Sequence, residues 1–200
     1  MKSSVVKDAV IITVITLVAG LLLGLVHEVT AGPIAAEEEK TRNKACKAVF
    51  EDASEFEDTK FDAGAMEKIL SDAGITKTTV NSIAVAKDSS GSKTGYVMDV
   101  TNQEGYGGDV EVMVGITSDG TINGIQFLAL TETAGMGMKA KDAEFMDQFK
   151  GLKADQIKYT KSGKSGSDEI DAISGATVTT KAVTKAVNGA LLAYKYMEAK

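Results

Sequence analysis

An uncharged, apolar run close to the N-terminus constrains this chain more than any other part of it. The run occupies residues 9–26, and about 18 residues of α-helix rise by about 27 Å, close to the thickness of a bilayer core. It therefore predicts a transmembrane helix, which we place at residues 9–30. The alternative is a cleaved signal peptide with Ala31 and Gly32 at its cleavage site, although the apolar region of a signal peptide is usually only about 7 to 15 residues long.

Charged residues on the two sides of this run predict its orientation. Lys2 and Lys7 precede it, and acidic residues at 37–39 follow it before Lys40. Because Lys and Arg are enriched on the cytoplasmic side of membrane helices, we expect residues 1–8 to form a cytoplasmic tail. The chain would then be a single-pass protein of the cell membrane whose domain lies outside the cytoplasm.

The composition restricts the chemistry that the chain can perform alone. Its 200 residues include one cysteine, Cys46, and one histidine, His27. An intramolecular disulfide, a thiolate zinc site and a Cys-ligated iron–sulfur cluster are therefore excluded, and a histidine-based site is not expected. A net charge of −6 argues against nucleic acid or an anionic membrane surface as the main partner. Any redox chemistry must come from an organic cofactor.

Residues beyond the membrane segment carry the patterns of an α+β domain with an antiparallel sheet flanked by helices. Segments rich in β-branched residues predict strands in a meander, and segments with apolar residues at three-and-four spacing predict helices. We place a membrane-exit helix and connector at residues 31–76 and the folded domain at residues 77–200. The predicted strands are residues 80–86, 95–101, 110–116, 122–130 and 157–161, and the predicted helices are residues 35–56, 66–73, 140–149 and 181–200.

A run of small and hydroxylic residues, Asp-Ala-Ile-Ser-Gly-Ala-Thr from Asp171 to Thr177, precedes the last predicted helix. A helix N-terminus offers unpaired N–H groups and about half a positive charge, and Gly175 and Ala176 let a phosphate approach the backbone closely. The run therefore predicts a phosphate site. The residues leave open that it only caps the helix, because Ser and Thr are among the commonest N-caps.

Two glycine-containing loops follow predicted strands. The first contains Gly-Tyr-Gly-Gly at residues 105–108, and the second contains Glu-Thr-Ala-Gly-Met-Gly at residues 132–137. Glycine allows positive φ angles or the close approach of a flat ligand to the backbone. Ordinary connections between elements are the alternative for both loops.

In this order, the three segments resemble the signature loops of the FMN-binding domain family shared by RnfG and NqrC. In that family the threonine that closes Ser-Gly-Ala-Thr is esterified to the FMN phosphate, so the resemblance implies a covalent phosphoester at Thr177. It further implies an FMN site in which the phosphate and the flavin are held by Ser174, Gly175, Ala176, Tyr106, Gly107, Glu132, Thr133 and Gly135. For Glu132, two other roles stay open, namely capping the helix predicted near residue 140 or lying in solvent.

The chain departs from the family pattern inside the second loop. Ala134 and Met136 stand where relatives usually have proline and leucine, and Thr131 stands where many have histidine. Because proline fixes the backbone and methionine is flexible, we expect this loop to be less rigid than in relatives.

The resemblance implies an electron-carrier subunit of an Rnf-type membrane complex, which couples electron transfer between ferredoxin and NAD to sodium or proton translocation. It implies other membrane subunits as partners, a flavin transferase for maturation, and no turnover by this subunit alone. Residues 26–34 are also similar to the membrane exit of RnfG anchors. The alternatives are an NqrC-like subunit of a sodium-pumping NADH:quinone reductase, a free-standing flavoprotein reductase, and a membrane-anchored binding module without cofactor.

Overall fold

The computed structural model describes residues 2–200 and contains two compact units, one ending at Arg42 and the other comprising Asn43–Lys200. Helix α1 spans Lys2–Val49 and includes the whole apolar run at residues 9–26. It is, among the described residues, the one helix long and apolar enough to cross a membrane. The mean hydropathy of its most apolar window of 18 residues is 2.8.

Helix α1 is continuous through Pro33 and ends at Val49. The helix predicted for residues 35–56 is therefore wrong beyond Val49, because Glu55–Thr59 forms strand β1, which pairs antiparallel with β2 (Thr78–Lys87). The helix was predicted because residues 35–56 are rich in Ala, Glu and Lys and lack Gly and Pro, a composition that favours a helix locally. Pairing with a strand far along the chain decides its structure instead.

Five antiparallel strands form the sheet in the order β1-β2-β3-β4-β5, so the predicted meander is confirmed. Strand β3 spans Lys93–Asn102, β4 spans Val110–Thr117 and β5 spans Ile122–Leu130. The turn between β4 and β5 has Gly120 at a φ of 87°, a conformation that glycine adopts without steric cost. Each predicted strand of the meander lies within an observed one.

Two helices cover one face of this sheet, namely α2 (Ala63–Asp72) and α4 (Thr177–Glu198). Small residues recur along the buried side of α4, so the helix lies close to β3 and β4. The main residues of this core are Met98, Val100, Val112 and Val114 from the sheet and Ala182, Val183, Ala186, Val187 and Ala190 from α4. The prediction of an α+β fold with a helix-flanked antiparallel sheet is therefore confirmed.

The last turns of α1 cover part of the opposite face. Ala45, Cys46 and Val49 are buried there against Val97 of β3 and Met113 of β4. This second, smaller core shows that Asn43–Lys200 is a unit whose sheet is covered on both faces. The compact unit thus includes the end of α1, β1 and α2 in addition to residues 77–200.

The segment between β5 and α4 contains shorter elements than predicted. A 3-10 helix, Gly137–Lys141, is followed by α3, Ala143–Met146. Asp142 between them has an extended ψ of 141°, which interrupts the helical path, so the single helix predicted for residues 140–149 is wrong.

Strands β6 (Lys158–Thr160) and β7 (Glu169–Asp171) follow and pair in parallel. The strand predicted at residues 157–161 is confirmed as β6. β7 was not predicted, because its short, acidic sequence has no alternation of its own and its partner lies across a polar loop.

The close approach of α1 to the sheet predicts a sharp difference between two glycines. A Cβ at Gly115 would lie 2.9 Å from the carbonyl oxygen of Val49, whereas a Cβ at Gly124 would lie 3.9 Å from the Cα of Val49. We expect Gly115→Ala to destabilise the full-length protein by about 1–3 kcal/mol, as overpacking of a core does. Gly124→Ala is the control and should be nearly neutral in thermal unfolding followed by circular dichroism. Equal stability of the two variants would contradict the packing described here.

Candidate functional site

Three segments meet at one end of the sheet. The first, residues 104–109, follows β3 and is called the Gly-rich loop; the second, residues 131–136, follows β5 and is called the Glu132 loop. The ends of these strands lie on either side of the start of β4, since Asn102 pairs with Val110 and Val110 pairs with Leu130. The third segment contains the Ser-Gly-Ala-Thr run and leads into α4.

A cavity of about 470 Å³, here called the loop cleft, opens between the three segments. Its volume falls within the range of about 300–1,000 Å³ that small-molecule sites occupy. Its walls include six of the nine residues predicted to bind the cofactor, namely Tyr106, Glu132, Thr133, Gly175, Ala176 and Thr177. The sequence analysis missed Met136, Gly137, Val178 and Thr179, which also line it.

The Ser-Gly-Ala-Thr run is a tight turn followed directly by α4. The N–H of Ala176 donates to the carbonyl of Ile173 at 3.0 Å, and Gly175, the third residue of this turn, has a φ of 77°. A type II turn requires a positive φ at its third position, which explains the glycine there. We call residues 173–176 the Ile173 turn.

The alternative that this run only supplies a helix cap is not supported. Helix α4 begins at Thr177, four residues earlier than predicted from residue 181, and its N-cap is Ala176. Within residues 2–200, no side chain at this N-cap accepts a hydrogen bond from the N–H groups of the first turn of α4. The N–H groups of the first turn of α4 are therefore the unpaired donors that the sequence predicted for a phosphate.

Burial distinguishes the four hydroxyl groups of this region. Thr179 and Thr180 are 1% and 0% exposed, whereas Thr177 is half-buried and faces the cleft. Ser174 is exposed and lines a neighbouring cavity together with Lys139. Of these four residues, only Thr177 both lines the loop cleft and is not buried.

Glu132 has a role that the sequence did not predict. Its carboxylate accepts hydrogen bonds from the N–H of Tyr106 at 2.8 Å and from the N–H of Gly107 at 3.2 Å. It does not cap the 3-10 helix that follows, whose N-cap is Met136. Hydrogen bonds to a carboxylate are stronger than those between neutral groups, so Glu132 holds the Gly-rich loop against the Glu132 loop.

Glycines allow the loops to pack this closely. A Cβ at Gly107 would collide with the carbonyl of Thr131, and one at Gly137 would lie 2.7 Å from Oγ1 of Thr179. Gly135 has a φ of 75° in a turn of its own. Neither Gly107 nor Gly135 is among the residues that line the cleft, so both are explained here by loop geometry, and their predicted contact with a flavin stays a prediction.

Exposed apolar side chains surround the opening of the cleft. Tyr106, Met136 and Val178 are 74%, 46% and 48% exposed, and they are the exposed large hydrophobic residues of the described part of the compact unit. Such a cluster marks a ligand or partner site. These apolar side chains lie in the same cleft as the unpaired N–H groups at the start of α4. The combination suits a ligand that has an aromatic ring at one end and a phosphate at the other, as FMN does.

An ion pair ties the Gly-rich loop to α4. Lys185 donates to the carboxylate of Glu104, and both side chains are largely buried. This hydrogen bond holds the pKa of the Glu104 carboxyl below its usual range, and the charges of Lys185, Lys181 and Lys77 act in the same direction while burial opposes them. The ion pair thus links the Gly-rich loop to α4 only while the Glu104 carboxyl is ionised.

Comparisons with known proteins agree with this geometry. The family model of the FMN-binding domain matches residues 105–192, and that of the RnfG N-terminal region matches residues 1–49. The G subunit of the Na⁺-translocating ferredoxin:NAD⁺ oxidoreductase complex of Acetobacterium woodii is 37% identical over 96% of this chain and 92% of its own length. The chain belongs to the RnfG family.

Other relatives are consistent with membership of the RnfG family. The G subunit of the ion-translocating oxidoreductase complex of Methanosarcina acetivorans is 31% identical over 95% of this chain and 94% of its own length. The crystal structure of Shewanella oneidensis NqrC, at 20% identity, covers 76% of this chain and 74% of its own with a TM-score of 0.51. It shows that NqrC shares the fold.

Membership of the RnfG family accounts for the loop cleft and for helix α1. The loop cleft lies within the FMN-binding domain, since the matched region begins in the Gly-rich loop and extends into α4. Helix α1 fits a single-pass membrane anchor, because an exposed apolar helix occupies the region that matches the RnfG N-terminus.

The contacts of Glu132 predict the behaviour of the Gly-rich loop. We expect Glu132→Gln to speed hydrogen exchange at the amides of Tyr106 and Gly107 roughly tenfold, because a hydrogen bond to a charged group contributes about 1.5–3 kcal/mol. Exchange measured by NMR or mass spectrometry tests this. Asp109→Asn, which changes an exposed carboxylate on the same loop, is the control and should leave both rates unchanged. Unchanged rates in Glu132→Gln would contradict the assignment.

The Glu104–Lys185 pair predicts a pH dependence of stability. Because the pKa of Glu104 is lowered in the folded state, the pair stabilises the fold above the ordinary glutamate pKa of about 4.3, and this stabilisation is lost as the pH falls through the lowered pKa. We therefore expect Lys185→Met to destabilise the protein at pH 7 and the difference from wild type to shrink at lower pH.

The matched control for this prediction is Lys195→Met on the same helix. Lys195 pairs with Asp155, whose side chain is 96% exposed, and exposed pairs contribute little. Denaturant unfolding between neutral and acidic pH measures both variants. A pH-independent effect of Lys185→Met would show that lost packing, not charge, is responsible.

Proposed function

We propose that this chain is the electron-carrier subunit, with FMN bound covalently to Thr177, of a membrane complex that couples electron transfer between ferredoxin and NAD to sodium or proton translocation. The observation that carries the proposal is that Thr177, the first residue of α4, is only half-buried and lines the loop cleft of an FMN-binding domain. The complexes named for its relatives support the wider function.

Each part of the cleft has a place in this proposal. Thr177 is the anchor, and the backbone of Gly175, Ala176 and the first turn of α4 holds the phosphate. Tyr106, Met136 and Val178, which line the cleft with exposed side chains, would contact the apolar ring. Bound FMN would supply the electron transfer, and the residues of the cleft would hold and orient it.

Attachment requires chemistry that Thr177 does not perform alone. A threonine hydroxyl is a weak nucleophile without an adjacent base, so we propose maturation by a flavin transferase acting on a flavin dinucleotide. The Thr177 oxygen forms a bond to the flavin-side phosphorus, and the bond from that phosphorus to the bridging oxygen breaks. A nucleoside monophosphate leaves, and the hydroxyl proton passes to the transferase. No oxidant or reductant is needed.

The proposal includes a membrane topology and partners. Helix α1 would cross the membrane once, with the N-terminal lysines in the cytoplasm and Asn43–Lys200 outside it. The other subunits of the complex would supply the ferredoxin site, the NAD site and the ion path. The described residues contain one domain that matches the FMN-binding family model and one helix long and apolar enough to cross a membrane, so we propose that this subunit has no turnover alone.

The test is expression of the full chain together with a flavin transferase in a host that exports it. We expect wild type to retain flavin fluorescence in a denaturing gel and to gain the mass of one FMN less one water. Thr177→Ala should show neither signal, and Thr177→Ser, which keeps a hydroxyl at the same position, should be labelled.

The outcomes separate the alternatives. If wild type remains at its unmodified mass although the transferase labels another substrate, covalent attachment is wrong and a binding module without covalent cofactor becomes the better description. If Thr177→Ala is labelled as fully as wild type, the acceptor is a different residue.

A further inference from the structure

The hydroxyl of Thr180 joins the two ends of the Ile173 turn. It accepts a hydrogen bond from the N–H of Ile173 at 3.1 Å and donates one to the carbonyl of Ala176 at 2.9 Å. These two residues are the first and last of the turn, and they also bond to each other at 3.0 Å. One buried oxygen therefore bridges the two ends of the turn, while Ser174 within it is exposed.

Only one of these bonds is ordinary for a helical threonine. Threonine hydroxyls often donate to the carbonyl four residues earlier, as Thr184 does to Thr180 at 2.8 Å, and this bond occurs in many helices. The bond from Ile173 is different, because its donor lies outside the helix and seven residues before the acceptor. Thr180 is 0% exposed, so no water can replace its hydroxyl there without rearrangement.

The closed turn determines where Thr177 lies. Thr177 follows Ala176 directly and begins α4. Its backbone is therefore fixed on one side by the turn that Thr180 bridges and on the other by the helix. Ile173 is itself buried at 8% exposure. A transferase would thus meet a hydroxyl whose position is fixed before binding, and binding would not have to order the turn.

We propose that Thr180 is a positioning residue for the covalent attachment of FMN, which holds the Ile173 turn in the conformation that presents Thr177 to the transferase. This inference rests on the proposed function of Thr177. Thr180 itself is not modified, because its hydroxyl is fully buried and engaged in both directions.

The test uses the full-length chain in detergent, a purified flavin transferase and a flavin dinucleotide, with initial rates of labelling read from flavin fluorescence. Thr180→Val keeps the shape and removes the hydroxyl, and we expect it to slow labelling about tenfold, as expected from the loss of a buried hydrogen bond. Thr180→Ser keeps the hydroxyl and should restore a rate close to wild type.

Thr184→Val is the matched control. It removes a hydroxyl that is also buried on α4, one turn further from Thr177, and whose bond goes only to a helix carbonyl. Labelling of this variant should proceed at the wild-type rate. Hydrogen exchange gives an independent readout, since the amides of Ile173 and Ala176 should exchange faster in Thr180→Val and not in Thr184→Val.

Three results would overturn the inference. Labelling of folded Thr180→Val at the wild-type rate would leave covalent attachment intact and remove the positioning role. Equal slowing in Thr184→Val would show a general loss of helix stability instead. Absence of labelling in wild type itself would remove the proposed function as well, and this outcome is distinct from the other two.

A second variant covers the case in which Thr180→Val does not fold. Gly175→Ala disturbs the same turn from its exposed side, where a Cβ would meet only the sulfur of Met136 at 4.0 Å but the φ of 77° is unfavourable for alanine. It should also slow labelling, and a wild-type rate in Gly175→Ala would then contradict the inference.

Discussion

The burial of α4 against β3 and β4 is the contact on which the rest of the site depends. Ala182, Ala186 and Ala190 lie at 0% exposure on the side of α4 that faces the sheet. Small side chains let the helix axis approach the strands, and most of the stability of such a helix comes from this packing rather than from its own propensity. Because the helix cannot shift along the sheet without losing these contacts, its first turn is held beside the ends of β3 and β5.

The loops around that first turn are held by one another, so the cleft exists before any ligand is bound. Glu132 binds two amides of the Gly-rich loop, and Gly137 brings the following segment against Thr179 of α4. Lys185 of α4 binds Glu104 at the base of the same loop. Three segments distant in sequence are thus linked in pairs, and a preformed site of this kind binds its ligand without a large ordering cost.

Features that depend on local pattern were predictable from sequence, and features that depend on distant partners were not. Alternating β-branched residues predicted the meander, and three glycine-containing motifs identified six residues of the cleft. Strand β1 exists because β2 pairs with it, and Glu132 binds amides about 25 residues earlier in the chain. Ser174 and Thr177 look equivalent in a run of hydroxylic residues; only the turn at Gly175 directs one outward and the other into the cleft.

The proposed covalent tether would reduce the affinity that the cleft itself must supply. A cofactor that binds reversibly needs many contacts to remain bound, whereas a tethered one is present at a high effective concentration and only needs to be oriented. With FMN attached at Thr177, as proposed, the exposed side chains of Tyr106, Met136 and Val178 would orient the ring without having to supply its affinity. On the same proposal, Ala134 and Met136, in place of the proline and leucine expected from the family resemblance, would change the rigidity of the Glu132 loop and leave the attachment point at Thr177 unchanged.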